Sequence, residues 1–212
     1  MPISFDKELV FVHIPKCAGS SIEEALNIDY DTGLRSADGI RCSQLQISNI
    51  DDLQNVERIY TKNTSPQHLP ASVLKKIIPH IFEEYTKFAV VRNPYDRIVS
   101  EYLYTKHKYH MTFDNFIKYV FNLPKFERHV EFDSHMNTQS SFVYESNKLL
   151  VDKIFKFENV NDVFNWLQLP EIHINSTNRT TPWQEYYTPE LMQLVYNFYK
   201  QDFDNFNYPY NP

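Results

Sequence analysis

Short apolar runs, each closed by a polar turn and followed by a helical pattern, set the rhythm of the chain. Glu8 to Ile14 (ELVFVHI) is such a run and suits a buried parallel strand. It breaks at Pro15 into Lys16-Cys17-Ala18-Gly19-Ser20-Ser21, after which IEEAL begins a helix. Arg58 to Lys62 (RIYTK) is a second candidate strand, and ASVLKKIIPHIF after it predicts a short helix. Lys87 to Val91 (KFAVV) is the clearest strand. It ends at Arg92-Asn93-Pro94, where Asn93 suits an N-cap and Pro94 a first helical residue. Beyond them Tyr95, Ile98, Val99, Tyr102 and Leu103 fall at the i, i+3, i+4, i+7, i+8 spacing of an amphipathic helix. Phe113 to Phe121 predicts another helix with Thr112 as its cap. Lys153 to Phe157 (KIFKF) reads as a fourth strand, Val160 to Leu167 as a helix, and Thr188-Pro189 through Tyr199 as a strong final helix. Asp29 to Asn55 is polar and without period, and reads as loop with a short helix at most.

Strands alternating with helices predict an α/β fold: a three-layer, P-loop-like domain whose central, mostly parallel sheet is flanked by helices. With 212 residues and no internal repeat, low-complexity tract or Gly/Ser linker, residues 1–212 read as a single domain. Aromatic residues reach 16%, with 15 Tyr and 16 Phe, so much of the core is ring packing. The formal net charge is -6 and no long basic stripe exists, which argues against a nucleic-acid binder working by bulk electrostatics. A local cluster of cations can still oppose the global sign and hold an anionic ligand. Cys17 and Cys42 are too few for a disulfide framework and lack metal-ligand spacing. No apolar stretch approaches ~18 residues, and no basic start precedes an apolar run. Neither a membrane span nor a signal peptide is therefore expected, and the cytoplasm is the expected location.

The turn after the first strand has the layout of a phosphate-binding junction, because backbone N–H groups at a helix start attract anions. Gly19 permits close backbone approach or a positive φ, Lys16 supplies a mobile charge, and Ser20 and Ser21 supply hydroxyl donors. The lysine precedes the glycine, so the turn does not follow the spacing G-x-x-x-x-G-K-[ST] of nucleotide triphosphatases. Phe11-Val12-His13-Ile14-Pro15-Lys16-Cys17-Ala18-Gly19-Ser20-Ser21 resembles the 5′-phosphosulfate loop of sulfotransferases that use 3′-phosphoadenosine-5′-phosphosulfate (PAPS). The resemblance is closest to the carbohydrate branch, with its H-I-P-K-x-x-G-[ST]-[ST] loop. It implies that Lys16 contacts the bridging and sulfuryl oxygens. It also implies that the loop from Lys16 through Cys17, Ala18, Gly19, Ser20 and Ser21 cradles the 5′-phosphate.

Residues 88–102 (FAVVRNPYDRIVSEY) resemble the family's 3′-phosphate motif, R-[ND]-P followed by R-x-x-S-x-[YF]. Arg92 stands at the carboxyl end of a strand, where open α/β sheets bind ligands, and its planar fork suits a phosphate. Ser100 follows about two helical turns after Asn93. By resemblance, Arg92 and Ser100 bind the 3′-phosphate. Arg97 reads as a surface residue paired with Glu101 at i+4. The resemblance extends to Asp133-Ser134-His135-Met136-Asn137-Thr138-Gln139, to KIFKFENV with Glu158 in a structural role, and to a D-F-x-x-F-x-Y tail assigned to packing. Asn175 to Arg179 falls where the family places a loop over the nucleotide, which makes Ser176, Thr177 and Arg179 candidate PAPS contacts.

Sulfuryl transfer shares the in-line logic of phosphoryl transfer but moves a less charged group, so Lys16 and backbone donors suffice and no metal is expected. The acceptor, a hydroxyl on a carbohydrate by resemblance, needs a base. His68 is favoured because it lies between the two motifs, in the interval where carbohydrate sulfotransferases carry their histidine. His135 is the main rival, as base or as an acceptor-site residue, and a carboxylate is the third possibility. His13 reads as a packed, loop-supporting residue, while His107, His110, His129 and His173 have no expected role. Two other readings stay open. A small-molecule kinase would need a Mg²⁺ site and a lysine after the loop glycine. A catalytically inactive nucleotide-binding protein would bind PAPS without turning over an acceptor.

Overall fold

The computed structural model describes residues 3–28, 68–122, 135–174 and 179–210. Its main sheet runs in the order β1 (Ile3–Ser4), β2 (Leu9–Val12), β3 (Thr86–Val91) and β6 (Lys153–Lys156). β1 pairs antiparallel with β2, and the two other pairings are parallel. The fold is thus mixed α/β with a mostly parallel sheet. Val10, Phe11 and Val12, and Phe88 through Val91, are at most 1% exposed, as expected where both faces of a parallel sheet are covered.

β2 and β6 stop two and one residues before the ends of the runs at 8–14 and 153–157, while β3 ends at Val91 as expected. The short β1 was not foreseen, nor was the hairpin of β4 (Tyr144–Glu145) and β5 (Lys148–Leu149). Two-residue strands carry too little alternation to be read from a pattern. The candidate strand at 58–62 and the polar stretch 29–55 lie outside the described residues.

Helices α1 (Gly19–Ala25), α2 (Ala71–Ile77) and α3 (Pro79–Glu84) precede β3. α4 (Pro94–Tyr109) leaves β3 through the predicted cap, with Tyr95 N–H donating to Asn93 Oδ1 at 2.9 Å and Pro94 in the first turn. α5 (Phe113–Asn122), α6 (Ser140–Val143) and α7 (Asn161–Leu167) follow. The final helix α8 (Pro189–Phe206) is capped by Thr188 and continues past Tyr199, where the backbone kinks at φ −102° and ψ 18°. α8 packs on α4, α5 and α6. Rings of Tyr95, Tyr102, Phe113, Tyr187 and Phe203 interlock there, which accounts for much of the aromatic composition.

The register fixes the site. Val12 is opposite Ala89, so Pro15 and Arg92, three residues further along each strand, leave the sheet side by side.

Candidate active site

The turn between β2 and α1 is tight and strained. Lys16 (φ 66°) and Ala18 (φ 62°) are both left-handed, and Ala18 is the N-cap of α1. Gly19 does not need a positive φ. Its missing side chain makes room for His13: a Cβ there would stand 1.9 Å from His13 Nε2. Of the two reasons for a glycine here, close approach is the operative one. The His13 ring is held from the other side by Glu23, with Nδ1 2.8 Å from Oε1, and both residues are under 5% exposed.

Arg92 joins this loop directly. Its Nη1–H donates to the Lys16 carbonyl at 3.1 Å, while Nε and Nη2 meet Asp96 Oδ2 at 2.8 and 2.7 Å. The guanidinium lies 3.9 Å above the Phe157 ring centre, which fixes its plane. Arg179 reaches the same carboxylate, its Nη2 2.6 Å from Asp96 Oδ1, as a charge contact not aligned as a hydrogen bond. Two guanidinium groups thus share one carboxylate beside Lys16, and the local balance is positive in a chain of net charge -6. Ser100 is buried on α4. Ser176 and Thr177 lie outside the described residues, as does His129.

Lys16 is held below its ordinary pKa, chiefly by burial; Glu101 opposes that shift and Arg92 adds to it. Its Nζ sits 3.9 Å above the ring of Tyr104. Next to it, three histidines form a row. The rings of His13 and His68 are 4.5 Å apart and those of His68 and His135 5.3 Å apart, both edge to face. His68 Nδ1 is 3.1 Å from the His13 carbonyl. A carbonyl only accepts, so Nδ1 carries the proton and the lone pair falls on Nε2. Burial, then the neighbouring His13 and His135, push the His68 pKa well below the usual histidine value. His135 Nδ1 meets Glu101 Oε2 at 2.8 Å. Burial works to raise the Glu101 carboxyl, but the His135 hydrogen bond and nearby positive charge outweigh it, and its pKa ends below the ordinary one. Among the described residues, no three or more His, Cys, Asp or Glu side chains are placed to hold a metal ion.

A family model described as the sulfotransferase family matches residues 2–209, nearly the whole chain. The chain belongs to the sulfotransferase family. No curated protein and no solved structure matches it. Membership makes the protein a transferase whose general chemistry is sulfuryl transfer, which implies a sulfate donor and a hydroxyl-bearing acceptor. No helix of the described residues is long and apolar enough to cross a membrane.

Among the sequence expectations, the surface placement of Arg97 is overturned. Arg97 is 1% exposed and does not pair with Glu101 on the surface. It donates to the carbonyls of Pro15 (3.1 Å), Asn137 (3.0 Å) and His135 (2.6 Å), tying the turn after β2 to the His135 segment. The Ser21 hydroxyl is engaged by Ile174, whose N–H donates to it at 3.0 Å, so it anchors the segment leading to residue 175. Cys17 is buried, near Gln139 Oε1 and the Pro15 carbonyl, and burial pushes its thiol up to about 12, so it fills space.

Gln139 and Asp202 went unread. The Gln139 amide accepts from Arg92 N–H and donates to Arg92 C=O, both at 2.8 Å, as a neighbouring strand would. The Asp202 carboxylate in turn accepts from Gln139 and Ser140 N–H, both at 2.7 Å. The glutamine of the D-x-H-x-x-x-Q segment and the aspartate of the D-F-x-x-F-x-Y tail were the available signals. Glu158 is structural as expected, accepting from Asn93 N–H at 2.7 Å and Tyr208 OH at 2.9 Å.

Proposed function

We propose that the protein transfers a sulfuryl group from PAPS to a hydroxyl, with a carbohydrate as the acceptor class and His68 as the base, on a single three-layer P-loop-like domain. The observation that carries this reading is the direct contact of the two motifs through Arg92 Nη1 and the Lys16 carbonyl. A 5′-phosphosulfate loop and a 3′-phosphate motif must meet if one nucleotide is to bridge them. The cations fit an anionic donor. Burial and Arg92 both disfavour the Lys16 charge, and a bound anion relieves that penalty.

PAPS supplies an activated sulfuryl group with a good leaving phosphate. The residues of the loop at 16–21 hold its 5′ side, and Arg92, Ser100 and Arg179 its 3′-phosphate. His68 Nε2 takes the proton of the acceptor hydroxyl as the acceptor oxygen bonds to sulfur and the bond from sulfur to the bridging oxygen breaks. The electron pair leaves with the nucleotide, and Lys16 balances the charge that develops there. His135, oriented by Glu101, stands beside His68 as an acceptor-site residue. The carbohydrate assignment rests on the H-I-P-K form of the loop.

The test is thermal stabilisation by 3′-phosphoadenosine-5′-phosphate (PAP), the desulfated product, against ATP with Mg²⁺ and adenosine 5′-phosphosulfate. At about 100 times its Kd a ligand stabilises the fold by ~2.7 kcal/mol. PAP is expected to give the largest shift, and Arg92→Ala to erase its advantage. A larger shift with ATP and Mg²⁺ would replace this reading with phosphoryl transfer.

A further inference from the structure

The pair formed by His13 and Glu23 has no place in the chemistry above, yet among the described residues it is one of the most buried polar pairs. Burying a carboxylate against an imidazole is costly unless the geometry is used. Each side of the His13 ring is in use. One face stacks on Phe11 at 5.5 Å between centres, its Nδ1 side is held by Glu23, and its Nε2 side occupies the space that Gly19 leaves open. The edge of the His68 contact completes the cage at 4.5 Å. The same residue's carbonyl accepts the Nδ1–H of His68. His13 therefore touches the donor loop through its ring and the base through both ring and backbone.

We propose that Glu23 and His13 are positioning residues: by holding the His13 ring, Glu23 keeps the His13 carbonyl against His68 Nδ1, which locks the Nδ1–H tautomer and the orientation of His68 to the donor loop. The inference rests on the reading of His68 as the base. The locked tautomer leaves the lone pair on Nε2, where a hydroxyl proton can be taken. Because Gly19 and His13 are in contact, a shift of the loop on a ligand is transmitted to the ring beside His68. Glu23 is four residues after Gly19 on the same helix α1, so direct contacts join the loop, the helix and the histidine.

The tautomer can be read without an acceptor. Two-bond ¹H–¹⁵N correlation spectra of the full chain with ¹⁵N-labelled histidine distinguish Nδ1–H from Nε2–H, and His68→Gln assigns the signal. In the wild type and in Glu23→Gln, whose amide oxygen still accepts from His13 Nδ1–H, His68 is expected as a single Nδ1–H tautomer. In Glu23→Leu it is expected as a mixture, and release of sulfate from PAPS to water falls at least tenfold while the Kd for PAP changes less than threefold. His13→Asn makes the same reading should Glu23→Leu not fold. An unchanged His68 tautomer in the folded variant, or equal losses in Glu23→Gln and Glu23→Leu, overturns the proposal. A wild type that holds the tautomer but does not prefer PAP overturns the donor assignment instead, and the two failures are told apart.

Discussion

Arg97→Met is the most informative single change, because two views of Arg97 predict very different costs. As a surface partner of Glu101 at i+4 it would contribute about 0.3–0.5 kcal/mol. The structure gives it three hydrogen bonds to carbonyls, at 3.1, 3.0 and 2.6 Å, with 1% exposure. Hydrogen bonds to a charged group are worth ~1.5–3 kcal/mol each. Part of that sum is cancelled because the guanidinium itself no longer has to be desolvated. A loss of about 3–5 kcal/mol is expected, or on the order of 10 °C in Tm for a chain of this size. Arg97→Lys should recover little, since one ammonium on a flexible stem cannot serve three carbonyls on two segments. Urea unfolding of both variants, followed by tryptophan fluorescence, measures the loss. A cost below about 1 kcal/mol for Arg97→Met would refute the buried clamp.

The remaining predictions concern other parts of the same assembly. The His68 pKa lies below its unfolded value of ~6.5, so between the two the unfolded chain binds more protons and stability rises with pH, by up to about 1.4 kcal/mol per pH unit for this group, levelling off above ~6.5. Urea midpoints from pH 5 to 8 should show that rise reduced in His68→Gln, and identical slopes in the two proteins would contradict it. Asp202→Ala strips the partner from two buried N–H groups and should cost about 2–4 kcal/mol, read from denaturant unfolding, with Asp202→Asn in between. In a Cys42→Ser background, Cys17 should resist iodoacetamide at pH 8 in the native protein and react only on unfolding; rapid native labelling would show its thiol to be accessible and its pKa lower than about 12.

The parts of the site legible in the sequence are those encoded within a few residues. The KFAVV run gives the carboxyl end of β3, the apolar run before Pro15 gives the presence of β2 though not its end, and Asn93-Pro94 marks the start of α4. Residues whose role depends on distant partners were not legible. Arg97 sits on the same helix as Glu101 at the spacing of a surface pair, and only the approach of Pro15 and the 135–137 segment turns it inward. Gln139 looks like an exposed polar residue until the Arg92 backbone is set against it. Asp202 belongs to a helix whose apolar stripe says which face is buried, without saying that a carboxylate is buried on it. Gly19 reads as a glycine that allows close approach or a positive φ, and local spacing could not reveal that the approaching group is the His13 ring.

Arg97 and Asp202 also explain why this core keeps strongly polar side chains where apolar residues would pack. Neither is half of a simple buried ion pair, for which a hydrophobic replacement is often harmless. Each serves backbone groups instead: the carbonyls of Pro15, His135 and Asn137 for Arg97, and N–H groups at the start of α6 for Asp202. An apolar substitute would leave those groups unpaired, so it cannot be neutral. The segments they hold carry the Lys16 loop, His135 and the Gln139 that pins Arg92. The proposed in-line transfer would tolerate little misplacement, since an error near 1 Å is worth about 100-fold in rate. A planar guanidinium and a carboxylate specify direction as well as distance, which dispersion contacts do not. Arg97 and Asp202 thus serve the stability of the fold and the placement of the proposed site together.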